Sequence, residues 1–134
     1  MSDSKPLRIQ APISAGELID KITILEIKSE RISDPAKRLS IAKELVLLRE
    51  VKSKAGLDTA QIASIAEELR TINGELWDIE DAIRECEQRS DFGPEFIELA
   101  RSIYLTNDRR ARIKQRIDAA VGSDIVEQKS YKGM

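Results

Sequence analysis

The sequence predicts an all-α fold of four helices, in which helices three and four form a long antiparallel, coiled-coil-like hairpin. The composition is typical of helices with aliphatic cores, since 34% of the residues are charged and only 4% are aromatic. Two apolar repeats of equal length and coiled-coil spacing flank a short segment that contains a proline. At 134 residues we expect one helical domain over 1–134, with an extended N-terminal arm and a C-terminal tail.

The chain begins with a predicted extended arm over residues 1–13. Apolar and polar side chains alternate over residues 7–11, which is the pattern of a short strand or of a strap across the helices. Pro6 and Pro12 discourage helix on both sides of this stretch. Residues 123–134 lack periodicity, and we expect them to form a flexible tail or a docking segment.

The first two helices are predicted over residues 14–32 and 35–55. Ser14 and Glu17 fit a capping box that begins the first helix, and Asp34 suits the N-cap of the second. Both helices carry apolar residues around much of their circumference, which can leave a stripe uncovered. The residues of the second helix that we expect to face inward are Leu39, Ile41, Ala42, Leu45, Val46 and Leu48.

The third and fourth helices, over residues 59–89 and 94–121, each carry a seam of positions spaced alternately three and four residues apart. An α-helix presents such a seam as one narrow stripe to a partner helix. Asn73-Gly74 is a turn signal, but the seam keeps its phase across it. We therefore expect a continuous third helix, at a local cost of about 1 kcal/mol. The seams comprise Ile62, Ile65, Leu69, Ile72, Leu76, Ile79, Ile83 and Cys86, then Phe96, Leu99, Ile103, Thr106, Arg110, Ile113, Ile117 and Ala120.

The distribution of charged residues independently predicts that the third and fourth helices pair. Residues 67–98 contain eleven acidic and three basic residues, whereas residues 101–134 contain eight basic and four acidic ones. Exposed ion pairs contribute at most about 1 kcal/mol each, so these charges set the register of the hairpin more than its stability. The residues expected to oppose each other are Glu75 and Asp78 with the region of Arg109, and Glu68 with Arg116.

The candidate site lies where polar residues interrupt the fourth seam. Thr106 and Arg110 occupy inward positions, where a polar group without a partner costs about 1–3 kcal/mol. Two interpretations remain open: a pocket for a small anionic ligand or a subunit, or an internal network with Glu75 or Asp78. We expect Trp77 to cover the hairpin against the first helix. The candidate ligand or partner site comprises Trp77, Glu80, Asp81, Arg84, Asn107, Asp108 and Arg110.

No residue set in the sequence specifies a reaction. The absence of histidine removes the Ser-His and Cys-His nucleophile pairs and histidine-bound zinc. Glu75-x-x-Asp78 is similar to one half of the Mg²⁺ motif of all-helical nucleotide pyrophosphatases, but the second half is missing. We predict no catalytic, cofactor-binding or metal-binding residues, and we favour a binding protein over an enzyme.

The partner that we favour is a protein, either a second copy in a homodimer or another chain. Residues 109–116 are basic and could bind the phosphates of a nucleic acid. Because the net charge is −2 and the acidic face of the third helix is near, we expect a solvated or salt-bridged face instead. The single cysteine, Cys86, cannot form an intrachain disulfide, and we see no signal peptide or membrane-spanning run, so we expect a cytoplasmic protein.

Five blocks of sequence stand out together: GELIDKITILEIK (16–28), LWDIEDAIR (76–84), ARSIY (100–104), NDRRA (107–111) and EQKSY (127–131). Over most of its length the chain thereby resembles an uncharacterised bacterial all-helical family that is known only as a domain of unknown function. The resemblance implies that these blocks act together and that relatives accompany glycosyltransferase or surface-polysaccharide proteins. It implies no catalytic residues.

Overall fold

Four α-helices make up most of the part of the chain that the computed structural model describes, residues 5–125 and 127–128. No strand occurs among these residues, so the predicted all-α fold of four helices is confirmed. The predictions for residues 1–4, 126 and 129–134, at the ends of the arm and tail, lie outside the described residues. None of the described helices combines the length and the apolar character needed to cross a bilayer. The helices are α1 (Ala15–Arg31), α2 (Pro35–Lys54), α3 (Ala60–Gln88) and α4 (Pro94–Val121).

The helix ends follow local sequence signals. Ser14, Asp34 and Thr59 precede α1, α2 and α3, and each side chain accepts a hydrogen bond from the backbone N–H three residues later. Each bond satisfies one of the N–H groups that the first turn of a helix leaves without a partner. Gly56 and Gly122 follow α2 and α4 with φ of +74° and +68°, a conformation that glycine adopts without strain. All four helices therefore begin and end within one residue of the predicted bounds.

Helices α3 and α4 pack against each other along their predicted seams. α3 is uninterrupted at Asn73-Gly74, because the Asn73 side chain is buried and hydrogen-bonded to α1 instead of turning the backbone. The seam prediction is wrong at Ala120, which lies exposed in the last turn of α4. All the other seam positions of α3 and α4 are buried or half-buried.

Ion pairs between the two helices show that the hairpin is antiparallel. Arg109 lies 3.3 Å from Glu75, and Arg116 donates two hydrogen bonds of 2.9 Å to the carboxylate of Glu68. Both pairs have the register that the charge pattern predicts. Asp78 differs from the prediction, because it pairs with an arginine at the end of α1.

Helix α1 is the central element, since it contacts α2, α3 and α4, whereas α2 contacts no described helix other than α1. Ile19, Leu69 and Ile117, one from each of α1, α3 and α4, are at most 2% exposed. Burying a side chain of this size contributes about 1.5–3 kcal/mol. The core cluster comprises Leu18, Ile19, Ile22, Leu25, Ile41, Leu45, Leu57, Ile62, Ile65, Leu69, Ile72, Ile113 and Ile117.

The outer face of α2 corrects the sequence-based prediction. Ile41 and Leu45 are buried against α1, but the expectation that Leu39, Ala42 and Val46 also face inward is wrong. Leu39 is 75% exposed and Val46 is 55% exposed. A helix with a single neighbour buries only one stripe, so the remaining apolar residues of α2 face solvent.

Candidate functional site

A cleft of about 380 Å³ opens between α1, α3 and α4. Sites for small molecules in proteins have volumes of about 300–1,000 Å³, so the cleft is large enough for a small ligand. Its apolar lining comes from Ile24 and Ile27 of α1 and from Leu76 and Trp77 of α3. Its polar lining consists of Asn73, Glu80, Asp81 and Arg84 from α3 and Asn107 and Arg110 from α4.

A buried ion pair forms one wall of this cleft. Asp20 of α1 is 1% exposed, and Arg110 binds its carboxylate through both Nε, at 2.9 Å, and Nη2. The Asn73 side-chain amide donates 2.9 Å hydrogen bonds to Asp20 and to the Thr23 hydroxyl. The hydrogen bond to Asp20 is the main reason that the pKa of Arg110 lies above its usual value. The network therefore joins α1, α3 and α4 through a guanidinium that stays charged.

A second buried cluster joins the start of α1 to α4 and to the segment after it. Lys114 Nζ lies 2.7 Å from a carboxylate oxygen of Glu17 and 2.5 Å from one of Glu127. Burial, the largest single effect, lowers the pKa of Lys114, but the two carboxylates together outweigh it and the net shift is upward. Asp118 accepts a 2.7 Å hydrogen bond from the backbone N–H of Gly16.

These contacts bear on the two interpretations of the polar residues in the α4 seam. Among the described residues, every buried side-chain nitrogen or oxygen has a hydrogen-bond partner. Arg110 belongs to an internal network, and its partner is Asp20. The prediction that Glu75 or Asp78 is the partner is wrong. The reason is that Glu75 and Asp78 lie on the exposed side of α3, where Arg109 and an α1 arginine engage them.

The predicted site residues mostly come together in the cleft. Six of the seven line it, whereas Asp108 does not. Trp77 is half-buried and faces α1, since the guanidinium carbon of Arg31 lies 5.8 Å from its ring centroid. Glu80 and Arg84 form an exposed pair at 3.3 Å. The six that meet are Trp77, Glu80, Asp81, Arg84, Asn107 and Arg110.

The basic segment at residues 109–116 is largely engaged within the chain. Arg109 and Arg116 pair with carboxylates of α3, and Lys114 is buried. Arg109 and Arg116 remain 53% exposed, so these pairs reduce the positive charge available to phosphates without covering the arginines.

The described residues also bring three potential metal ligands together near the tip of the hairpin. Cys86, Asp91 and Glu95 offer ligand atoms within 4.8 Å of one another. Arg89 lies 3.7 Å from both Cys86 Sγ and Glu95, so a guanidinium already occupies this neighbourhood. Burial raises the pKa of the Cys86 thiol, which disfavours the thiolate that would bind a metal.

A match to a protein family covers almost the whole chain. The family is described as a family of unknown function, DUF6165, and its model matches residues 9–134. The chain belongs to this family. Searches of curated proteins and of solved structures found no match. The resemblance to a domain of unknown function is thus confirmed.

The site predicted from the sequence of this DUF6165 protein does not include the buried polar residues that connect α1 to α4. Asp20 stands inside an apolar run, between Ile19 and Ile22, and this placement was the signal that could have identified it as an inward carboxylate. Lys114 and Asp118 lie next to seam positions of α4 rather than on them, so the seam alone could not identify them. They became buried because the start of α1 lies against this part of α4.

Proposed function

We propose that this DUF6165 protein is a helical interaction module that self-associates through α2 into a two-fold symmetric dimer. The observation that carries the proposal is the exposed apolar face of α2, on which Leu39 and Val46 are 75% and 55% exposed. An apolar stripe in water gains free energy when it is buried against another surface. Because α1 is the only described helix that α2 contacts, no described helix covers this face.

The shape of the face suits a partner helix. Leu39, Ala42 and Val46 follow one another at helical spacing, so they lie above one another along one side of α2. Together with Lys43 and Leu47 they line a shallow depression of about 530 Å³. A stripe of this kind is what one helix presents to another in a two-helix contact.

The charges beside the stripe favour a second copy of the same chain. Lys43 and Glu50 are seven residues apart, so they lie on the same side of α2 about two turns from each other. Neither forms an ion pair with any described residue. In an antiparallel α2–α2 pair centred between Val46 and Leu47, Lys43 of each copy is level with Glu50 of the other. The surface is therefore complementary to itself, as a two-fold interface requires.

Sedimentation equilibrium over a concentration series tests the association. The interface offers one helix face per copy, which is small for a stable complex, so we expect a reversible, concentration-dependent dimer. The mean mass should rise from the monomer value of 15.1 kDa towards twice that value as the concentration increases. A monomer throughout a micromolar to submillimolar series would contradict the proposal.

Two substitutions of equally exposed apolar residues locate the interface. Val46→Glu should keep the protein monomeric, because it places a charge at the centre of the proposed α2–α2 contact. The matched control is Ile97→Glu, because Ile97 is also an apolar residue that is 55% exposed but lies on α4, away from α2. Both variants should retain the helical circular dichroism of the wild type. Loss of the dimer in both, or in neither, would show that the stripe is not the interface.

A charge swap tests the antiparallel register. Lys43→Glu should weaken the dimer, because the new carboxylate faces Glu50 of the other copy. Adding Glu50→Lys in the same chain restores opposite charges across the interface and should restore association. A double variant that associates no better than Lys43→Glu would rule out this register.

A further inference from the structure

We infer that the cleft between α1, α3 and α4 binds a small organic cation, in which an ammonium or guanidinium group is attached to an apolar body. The site is separate from the outer face of α2, so the inference does not rest on the proposed dimer. It stands on three properties of the lining: its charge, its aromatic side chain and its apolar surface.

The charges of the lining favour a cation over an anion. The guanidinium of Arg110 is already matched by the buried carboxylate of Asp20, and that of Arg84 lies 3.3 Å from Glu80. Asp81 lines the cleft as well and forms no ion pair with any described residue. The balance is therefore one uncompensated negative charge, which attracts a cation and opposes the anionic ligand that the sequence left open as an alternative.

The aromatic side chain of the lining already holds a cation from within the protein. The guanidinium of Arg31 lies 5.8 Å from the Trp77 ring centroid and pairs with the neighbouring Asp78. An aromatic ring beside a carboxylate is a favourable environment for a cation. Asp81 stands one helical turn after Trp77, so the cleft also combines the aromatic ring with a carboxylate. No cation of the described residues forms an ion pair with this carboxylate.

The remaining lining accounts for the apolar body of the ligand. Ile24, Ile27 and Leu76 provide an aliphatic surface next to Trp77. The Asn73 amide is used in hydrogen bonds to α1, so it serves as part of the wall. Asn107 also lines the cleft and can orient a polar substituent through its amide group. The chemistry that fits is an amine or a guanidine on an aromatic or aliphatic group.

Trp77 is the single tryptophan of the chain, so its fluorescence reports directly on the cleft. Three compounds with similar apolar bodies separate charge from apolar contact: phenethylamine is a cation, phenethyl alcohol is neutral and phenylacetate is an anion. We expect a saturable change of Trp77 emission with phenethylamine, and about tenfold weaker binding of the alcohol. Phenylacetate should give no saturable change. Tighter binding of phenylacetate, or no saturation by the amine up to millimolar concentrations, would overturn the inference.

A pair of isosteric substitutions tests the role of the carboxylate. Asp81→Asn should weaken phenethylamine binding about tenfold and leave the alcohol unchanged. Asp124→Asn removes the same charge from an exposed position beyond α4 and should change neither. Equal effects of both substitutions would assign the preference to net charge and overturn the site. Repeating the titration with Val46→Glu separates this result from dimerisation, because binding in the cleft should persist in a monomer.

Discussion

The base and the tip of the α3–α4 hairpin carry the same repeat but differ in burial. We call residues 60–78 and 106–121 the base, and residues 79–105 the tip. At the base, Ile62, Leu69 and Ile117 are at most 2% exposed. At the tip, Ile83 and Ile103 occupy equivalent seam positions and are only half-buried, and the smaller Cys86 is the one seam residue of the tip that is buried.

The length of α1 explains the difference. With 17 residues α1 is about 26 Å long, whereas the 29 residues of α3 extend over about 44 Å. The polar contacts of α1 with the hairpin run from Asp118 to Asp78, all within the base. A heptad seam thus shows that two helices meet, and a third helix decides how deeply the seam is buried. The large apolar residues left exposed at the tip are Phe92, Ile97, Tyr104 and Leu105.

The largest loss of stability should come from breaking the buried ion pair at the base. Arg110→Met leaves the carboxylate of Asp20 buried without its counterion, and we expect a loss of about 3–5 kcal/mol in the free energy of unfolding. Arg109→Met is the adjacent control, because Arg109 pairs with Glu75 where both side chains are about half exposed. It should cost less than about 1 kcal/mol. Urea denaturation measures both, and similar small losses would show that the buried pair does not hold the base together.

The next largest loss of stability should come from shortening a seam residue at the base, compared with the same change at the tip. Leu69→Ala removes a side chain that is fully buried at the base, and we expect a loss of about 3 kcal/mol or more. Ile83→Ala at the tip removes a half-buried side chain and should cost about 1 kcal/mol. Equal losses in urea denaturation would indicate that the tip is as tightly packed as the base.

Local signals were enough to predict the helices and their pairing. The caps at Ser14 and Asp34 depend on atoms three residues apart, so the sequence contains all the information that they need. The pairing of Glu68 with Arg116 follows once the hairpin is folded about its short connection. These features involve one helix or two helices that are adjacent in sequence.

Features that depend on a third element could not be predicted in the same way. The sequence predicts that the outer apolar face of α2 is part of the core, because a sequence pattern cannot show that α1 is the sole neighbour of α2 among the described helices. Arg110 was assigned a partner on α3, whereas its carboxylate comes from Asp20, 90 residues away in α1. Six of the seven predicted site residues meet at the cleft because they lie on two helices whose register the charge pattern predicts, whereas the α1 side of the lining does not follow from that register.

A smaller effect should come from the close approach of α1 to α4 at the base. A Cβ atom on Gly16 would lie 2.4 Å from the backbone oxygen of Lys114, so Gly16→Ala must move α1 or α4. We expect a loss of about 1–3 kcal/mol in the free energy of unfolding. Gly74→Ala is the control, because the nearest atom to its Cβ is at 3.8 Å, and it should stabilise α3 by about 1 kcal/mol. Thermal unfolding that shifts in the same direction for both variants would contradict the close approach.

The smallest effect should appear only at alkaline pH. The pKa of Lys114 is raised in the folded protein, since the carboxylates of Glu127 and Glu17 outweigh its burial. A group with a raised pKa binds its proton more tightly when folded, so its contribution is complete below the unfolded pKa of about 10.4. That contribution is lost as the pH rises through the folded pKa. The free energy of unfolding should therefore fall more steeply above about pH 10 in the wild type than in Lys114→Met. The control Lys21→Met changes an exposed lysine of α1 and should keep the wild-type slope. A wild-type slope equal to that of Lys114→Met would show that the charged form of Lys114 does not stabilise the fold.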